Sequence, residues 1–156
     1  MHRHKLLPNG CILFLILLLG SLVGCGGTAT QDFTEIEDTF FQNYFKLNPI
    51  HSSQIGMHDY DTLLTDVTDS AFSARRNLYK KTLDKFESIS RKKLPPQKQI
   101  DHQLYLELLQ TKIFQLDTVQ EHIWNPLFYT TMAEEAIMNL ADKRFADDSI
   151  RAVRLI

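Results

Sequence analysis

The sequence predicts an all-α fold, an irregular multi-helix bundle of about five to six helices behind a cleaved signal peptide. Three observations carry that expectation. Apolar residues from Phe33 onward recur at helical spacing almost everywhere. Asn-Pro pairs at Asn48-Pro49 and Asn125-Pro126 announce helix starts, and a short apolar run near the N-terminus closes on Leu22-Val23-Gly24-Cys25.

Phe33, Ile36, Phe40, Tyr44 and Leu47 fall at i, i+3, i+7, i+11 and i+14, one face of a first helix that Phe41 and Phe45 widen. Glu35, Asp38, Gln42 and Lys46 lie mostly opposite. Asn48 as N-cap, Pro49 at the first helical position and Gly56 where a left-handed C-terminal cap is needed frame a two-turn helix over 49–55. Residues 57–69 are rich in Asp and Thr without a sustained period, the mark of a loop. A third helix runs from about Ser70 to Ile89, with Phe72, Tyr79, Leu83 and Phe86 inward and Arg75, Lys80, Lys81, Asp84 and Lys85 largely outward. Pro95-Pro96 ends the next connection.

The fourth helix, Gln97 to about Val119, carries two apolar stripes: Ile100, Leu104, Leu108 on one side and Tyr105, Leu109, Leu116 on another. Such a helix is expected to pack between neighbours. A fifth follows Asn125-Pro126 through Tyr129, Met132 or Ala133, Ala136 and Leu140, and Asp147-Asp148-Ser149 opens a sixth. The sixth ends on Val153-Arg154-Leu155-Ile156 without Gly, Asn or Pro to stop it, so residues 32–156 read as the helical N-terminal region of a larger domain, truncated.

Upstream, Arg3 and Lys5 precede the apolar run Cys11 to Leu19, short for a bilayer span but sufficient for a secretory core of about 7 to 15 apolar residues. Leu22-Val23-Gly24-Cys25 resembles the lipobox of bacterial lipoproteins. Its chemistry explains the residue types: a thioether to diacylglycerol needs a sulfur nucleophile, and Gly24 fits a tight protease pocket. Residues 1–24 are then a signal peptide, Cys25 is the lipidated (palmitate-bearing) first residue, and 25–31 form a flexible tether. Two or three acyl chains, each contributing about 0.8 kcal/mol per buried methylene, make the anchor effectively permanent. The alternative is an uncleaved signal anchor with Cys25 an ordinary buried thiol.

Processing changes the composition. The chain holds 17 Lys and Arg against 19 Asp and Glu, and the leader removes two bases and no acid, leaving a mature formal charge of minus 4. The one basic run, Arg91-Lys92-Lys93, lies in a Pro-flanked segment that reads as a solvated loop, so nucleic acid is not an expected partner. Cys11 leaves with the leader and Cys25 is consumed by lipid, so no disulfide forms within the mature chain. An apolar core must hold about 130 residues unaided, which is long enough.

No constellation of residues announces catalysis, cofactor binding or metal binding, so no catalytic, cofactor or metal residue is assigned. His51, His58, His102 and His122 survive processing, and no two stand at i, i+4, the spacing that puts two imidazoles on one helical face. Thr118 occupies the position where an inverted H-x-x-E-H would need its first histidine. His58-Asp59-Tyr60-Asp61 with Asp66 is the densest polar cluster. Alternate Asp residues can bind a hard cation, but the Gly and Glu of a calcium loop are out of register, and a solvated or capping role is the default. Ser52, Ser53 and Ser70 sit at caps or in a short helix, where hydroxyls serve the backbone. The ten Phe and five Tyr read as core.

Phe41, Tyr44-Phe45, Asn48-Pro49, Gly56-Met57-His58-Asp59-Tyr60-Asp61 and Asp66, followed by Gln99-Ile100-Asp101 and Trp124-Asn125-Pro126 with Tyr129, form an ordered series. In order and approximate spacing it resembles the N-terminal part of the bacterial family called domain of unknown function 885. Members are long, mostly helical, often lipoproteins, and are regarded as zinc-dependent peptidases because of an H-E-x-x-H helix in their later part. That helix is not in this sequence, so the resemblance implies a peptidase context and transfers no catalytic or zinc-binding residue; zinc is expected only in a full-length relative. The expectation is a lipid-anchored envelope protein, facing the periplasm from the outer membrane in a Gram-negative cell because Gly26 and not Asp follows the cysteine. Its partners would be membrane lipid through Cys25 and the missing C-terminal part of the parent protein. The alternative is a small non-catalytic helical lipoprotein, a binding or scaffolding module.

Overall fold

The computed structural model describes residues 27–154, and every regular element among them is helical. Helix α1 (Gly27–Leu47) leads into the short α2 (Pro49–Gln54), and a single 3-10 turn, His58–Tyr60, interrupts the loop that follows. Helices α3 (Asp69–Ser88) and α4 (Pro96–Phe114) form a hairpin across the Arg91–Lys93 turn. The chain then unwinds through a π turn (Gln115–Val119) into α5 (Glu121–Trp124), α6 (Leu127–Asp142) and α7 (Asp148–Arg154).

The core lies between α1, α3 and α4. Phe33, Phe86 and Leu109 are fully buried, with Phe40, Tyr79 and Leu94 beside them. Phe86 stacks on Tyr105 with centroids 4.7 Å apart and meets Phe33 at 5.1 Å, so each of the three helices contributes a ring. Above the rings Glu37 of α1 accepts from the Tyr105 hydroxyl at 2.8 Å and from Lys98 at 2.7 Å, a polar tie between α1 and α4. The inward faces of α1 and α3 are those the spacing predicts.

Four local expectations are corrected. Residues 27–31 continue α1 instead of forming a tether, because Ala29 stands one turn before Phe33 on the same face and packs against the core. That burial outweighs the poor helix propensity of Gly and Thr. Asn48 does not cap α2: its amide donates back to the Tyr44 carbonyl at 2.8 Å. Arg75 does not face outward but is buried at 5% exposure. The Ile100, Leu104, Leu108 stripe is open, at 53%, 58% and 43%, because α4 meets α3 and α1 on its other side and nothing among the described residues covers this one.

Other start and stop signals hold. Gly56 adopts φ 91° and its N–H donates to Ser53 O, closing α2 in the left-handed conformation that disfavours a Cβ. Thr68 caps α3 by accepting from the Ala71 N–H, and Asn125 Oδ1 accepts from Leu127 N at the start of α6. The π turn ends on Gln120 at φ 50°.

A second unit rests on this core. Helix α6 lies on α2, and α7 folds back on α6. Arg151 of α7 is buried and donates from Nη1 to the Leu140, Ala141 and Lys143 carbonyls at 3.0, 2.6 and 3.3 Å, satisfying the end of α6 that has no Gly cap.

Candidate functional site: two concavities beneath helix α6

Where α6 crosses the body, two spaces remain. One, of about 470 Å³, is an apolar groove between α2, residues 61–67 and α6, lined by Ile50, Leu63, Leu64, Met132, Ala136 and Leu140. The other, of about 720 Å³, lies between Tyr44, Phe72, Arg75 and Tyr79 on the core side and Phe128 and Thr131 on α6. Both fall in the size range of small-molecule sites, about 300 to 1,000 Å³.

Asp61 closes the rim of the groove. Its side chain is 1% exposed, it accepts from His58 Nδ1 at 3.0 Å, and Arg154 Nη1 donates to it in a short contact. The His58 ring lies flat on Phe145, centroids 3.7 Å apart, and the Arg154 guanidinium stands over the same ring at 5.5 Å. Asp61 is therefore neither solvated nor a cap, the roles expected of it. It is a buried carboxylate with two cationic or potentially cationic partners, and it pins the 57–68 loop to α7. Asp66 closes an Asx turn ahead of the α3 cap: Oδ1 accepts from Thr68 N at 2.8 Å, which holds its carboxyl below the ordinary range. Asp59 is exposed.

The four histidines stand apart. His102 sits in the core, Nε2–H donating to the Phe86 carbonyl at 2.8 Å and Nδ1 buried without a partner among the described residues. His122 stacks on Phe72 at 4.0 Å, and His51 pairs with Gln54 at 3.1 Å. Among the described residues no group of three or more His, Cys, Asp or Glu is placed to hold a metal ion. Ser52 Oγ donates to the Phe45 and Asn48 carbonyls at 3.0 Å each, the backbone service expected of it. Ser53 Oγ is buried without a partner among the described residues, and Ser70 Oγ meets Thr68 Oγ1 at 2.9 Å. Cys25 and the leader lie outside the described residues, and no described helix is long and apolar enough to cross a membrane.

Sequence reasoning missed the arginines. Arg75, at a position counted among the outward cations, lines the larger cavity with its guanidinium 4.5 Å over the Phe72 ring; burial holds it below its ordinary pKa. Arg76 bridges α3 to Asp117 of the π turn, with Lys80 at 2.8 Å from the same carboxylate, and these cations depress the Asp117 carboxyl. Beside Arg75, burial lifts the Tyr79 hydroxyl to about 12, with Tyr44 adding to the effect. The one sequence signal for Arg75 was its spacing, three residues after Phe72 and four before Tyr79, on the buried face. No family model, no curated protein and no solved structure matches this chain.

Proposed function

We propose that this chain is a lipid-anchored envelope protein, the helical N-terminal part of a zinc peptidase-like protein of the domain of unknown function 885 kind, and itself without catalytic residues. In the parent it would wall the cleft and leave the chemistry to a later segment. The observation that carries the reading is the open apolar surface: Ile100 and Leu104 on α4, and Ile123, Trp124, Leu127 and Ile137 around α5 and α6, each more than half exposed. Large apolar side chains left open in such number are what a surface covered by other protein would present. The ordered series from Phe41 to Tyr129 supports the family, and Leu22-Val23-Gly24-Cys25 supports the anchor.

Two experiments test it. An H-E-x-x-H helix encoded downstream of codon 156, in frame or after a frameshift, is expected, and an unrelated gene there would overturn the peptidase context. Cys25→Ser should leave an uncleaved precursor without fatty-acid label, and normal processing with label would overturn the anchor. A second reading, a small scaffolding lipoprotein, draws support from the self-contained α1, α3, α4 core. It predicts that residues 26–156 stay soluble and melt sharply without binding an apolar dye.

A further inference from the structure

We propose that the larger cavity binds a small monocarboxylate with an apolar or aromatic body, and that Arg75 receives the carboxylate. The inference is independent of the peptidase context. Its basis is an unbalanced charge. Arg75 is 5% exposed, yet it donates only from Nη1, to Leu47 O at 3.3 Å and Asp66 O at 2.9 Å. Nε and Nη2 make no hydrogen bond, and no carboxylate lies within ion-pair distance among the described residues. Asp66 attracts Arg75 from beyond that distance, and its carboxylate is turned to the Thr68 N–H.

Three other arginines that join elements in this fold are balanced by acids: Arg76 by Asp117, Arg151 by Asp148 and Arg154 by Asp61. A guanidinium stays charged, and a buried one without a counter-ion is costly unless something anionic completes it. Arg75 is the most buried of the four and the one without a carboxylate partner.

The walls specify the rest of the ligand. Phe72 backs the guanidinium, and Tyr44, Tyr79 and Phe128 surround the space beside it, so a bare inorganic anion would leave aromatic surface unfilled. Glu121 and Glu135, both exposed, line the same cavity, with half-buried Lys112 beside Arg75 as a second cation in the lining. Two acids at the mouth disfavour a second negative charge, which selects a monoanion over phosphate. A planar bidentate carboxylate uses the two donors Arg75 leaves free. A free aryl or alkyl acid and the C-terminus of a peptide ending in an apolar residue share this chemistry.

The test uses the full chain in lipid nanodiscs, titrated with 3-phenylpropionate and with its neutral amide, and with the dipeptide Ala-Phe as acid and as amide, followed by ligand-observed NMR. At least one acid should bind, with its amide weaker by at least roughly tenfold; the tighter of the two acids names the source. Arg75→Lys should retain weakened binding and Arg75→Gln none. Because Arg75 also ties Leu47 to Asp66, a second variant leaves it in place: Thr131→Trp, at an exposed position lining the cavity, should block the acid with unchanged circular dichroism. Equal binding of acid and amide, binding of neither acid, or full binding to Thr131→Trp would overturn the proposal.

Discussion

The α1, α3, α4 core and the unit made of α2, α6 and α7 are held by different forces. In the core, rings from three helices interlock around Phe33, Phe86 and Tyr105, and polar ties such as Glu37 to Lys98 sit over a surface already closed. In the second unit the apolar contacts enclose open space, and side-chain clamps complete the attachment: Asp61 to Arg154, Arg151 to the end of α6, Lys143 Nζ to Gln54 O at 2.6 Å. Apolar packing is a sum over many contacts and degrades gradually. A clamp depends on two partners, and removing one leaves the other desolvated and unpaired. The difference teaches that the cavities lie in the part of the molecule able to open while the core stays folded.

The comparison can be broken most forcefully at the core. Phe86→Ala removes a fully buried ring that touches Phe33, His102 and Tyr105, and should cost about 3 to 5 kcal/mol, measured as a lower urea midpoint reported together by both units. High pH attacks the same place. Tyr79 ionises at about 12 folded against 10.0 in the free side chain. Because the folded value is the raised one, this contribution is whole below pH 10, declines above it and is gone beyond about 12, a loss of roughly 3 kcal/mol. Tyrosinate absorbance at Tyr79, isolated by comparison with Tyr79→Phe, should therefore rise near pH 12 and not near 10 while helicity holds.

Asp61→Ala sharpens the contrast from the other side. It frees α7 from the 57–68 loop at a local cost of about 2 kcal/mol, and hydrogen exchange should quicken in α7 and residues 57–68 while α3 amides hold. Smallest is Gly56→Ala, about 1 kcal/mol by thermal melting. A Cβ there meets nothing within 4 Å, so the cost is the left-handed φ alone.

Much of the core was legible because its signal is periodic: Phe33, Ile36, Phe40 and Tyr44, and Phe72, Tyr79 and Phe86, recur as a helix face must. The observed first residue of α3, Asp69, was one residue from the expected start at Ser70, and Gly56 did what only glycine does cheaply. What lies around the rings was less legible. A cation at Arg75 reads as solvent-facing by type and as core by position, and type prevailed. Asp61 reads as loop polarity until Arg154, 93 residues later, is brought against it. The stripe of Ile100, Leu104 and Leu108 shows that an apolar face can be read from sequence while what it packs on cannot. The π turn before Gln120 had no Gly or Pro to mark it.

The most direct test of the two-unit account is native-state hydrogen exchange across sub-denaturing urea. Amides of α1, α3 and α4 should exchange with the free energy of global unfolding and a steep urea dependence, and amides of α6 and α7 through a cheaper opening with a shallow one. A single free energy and a single urea slope shared by α3 and α6 would contradict it.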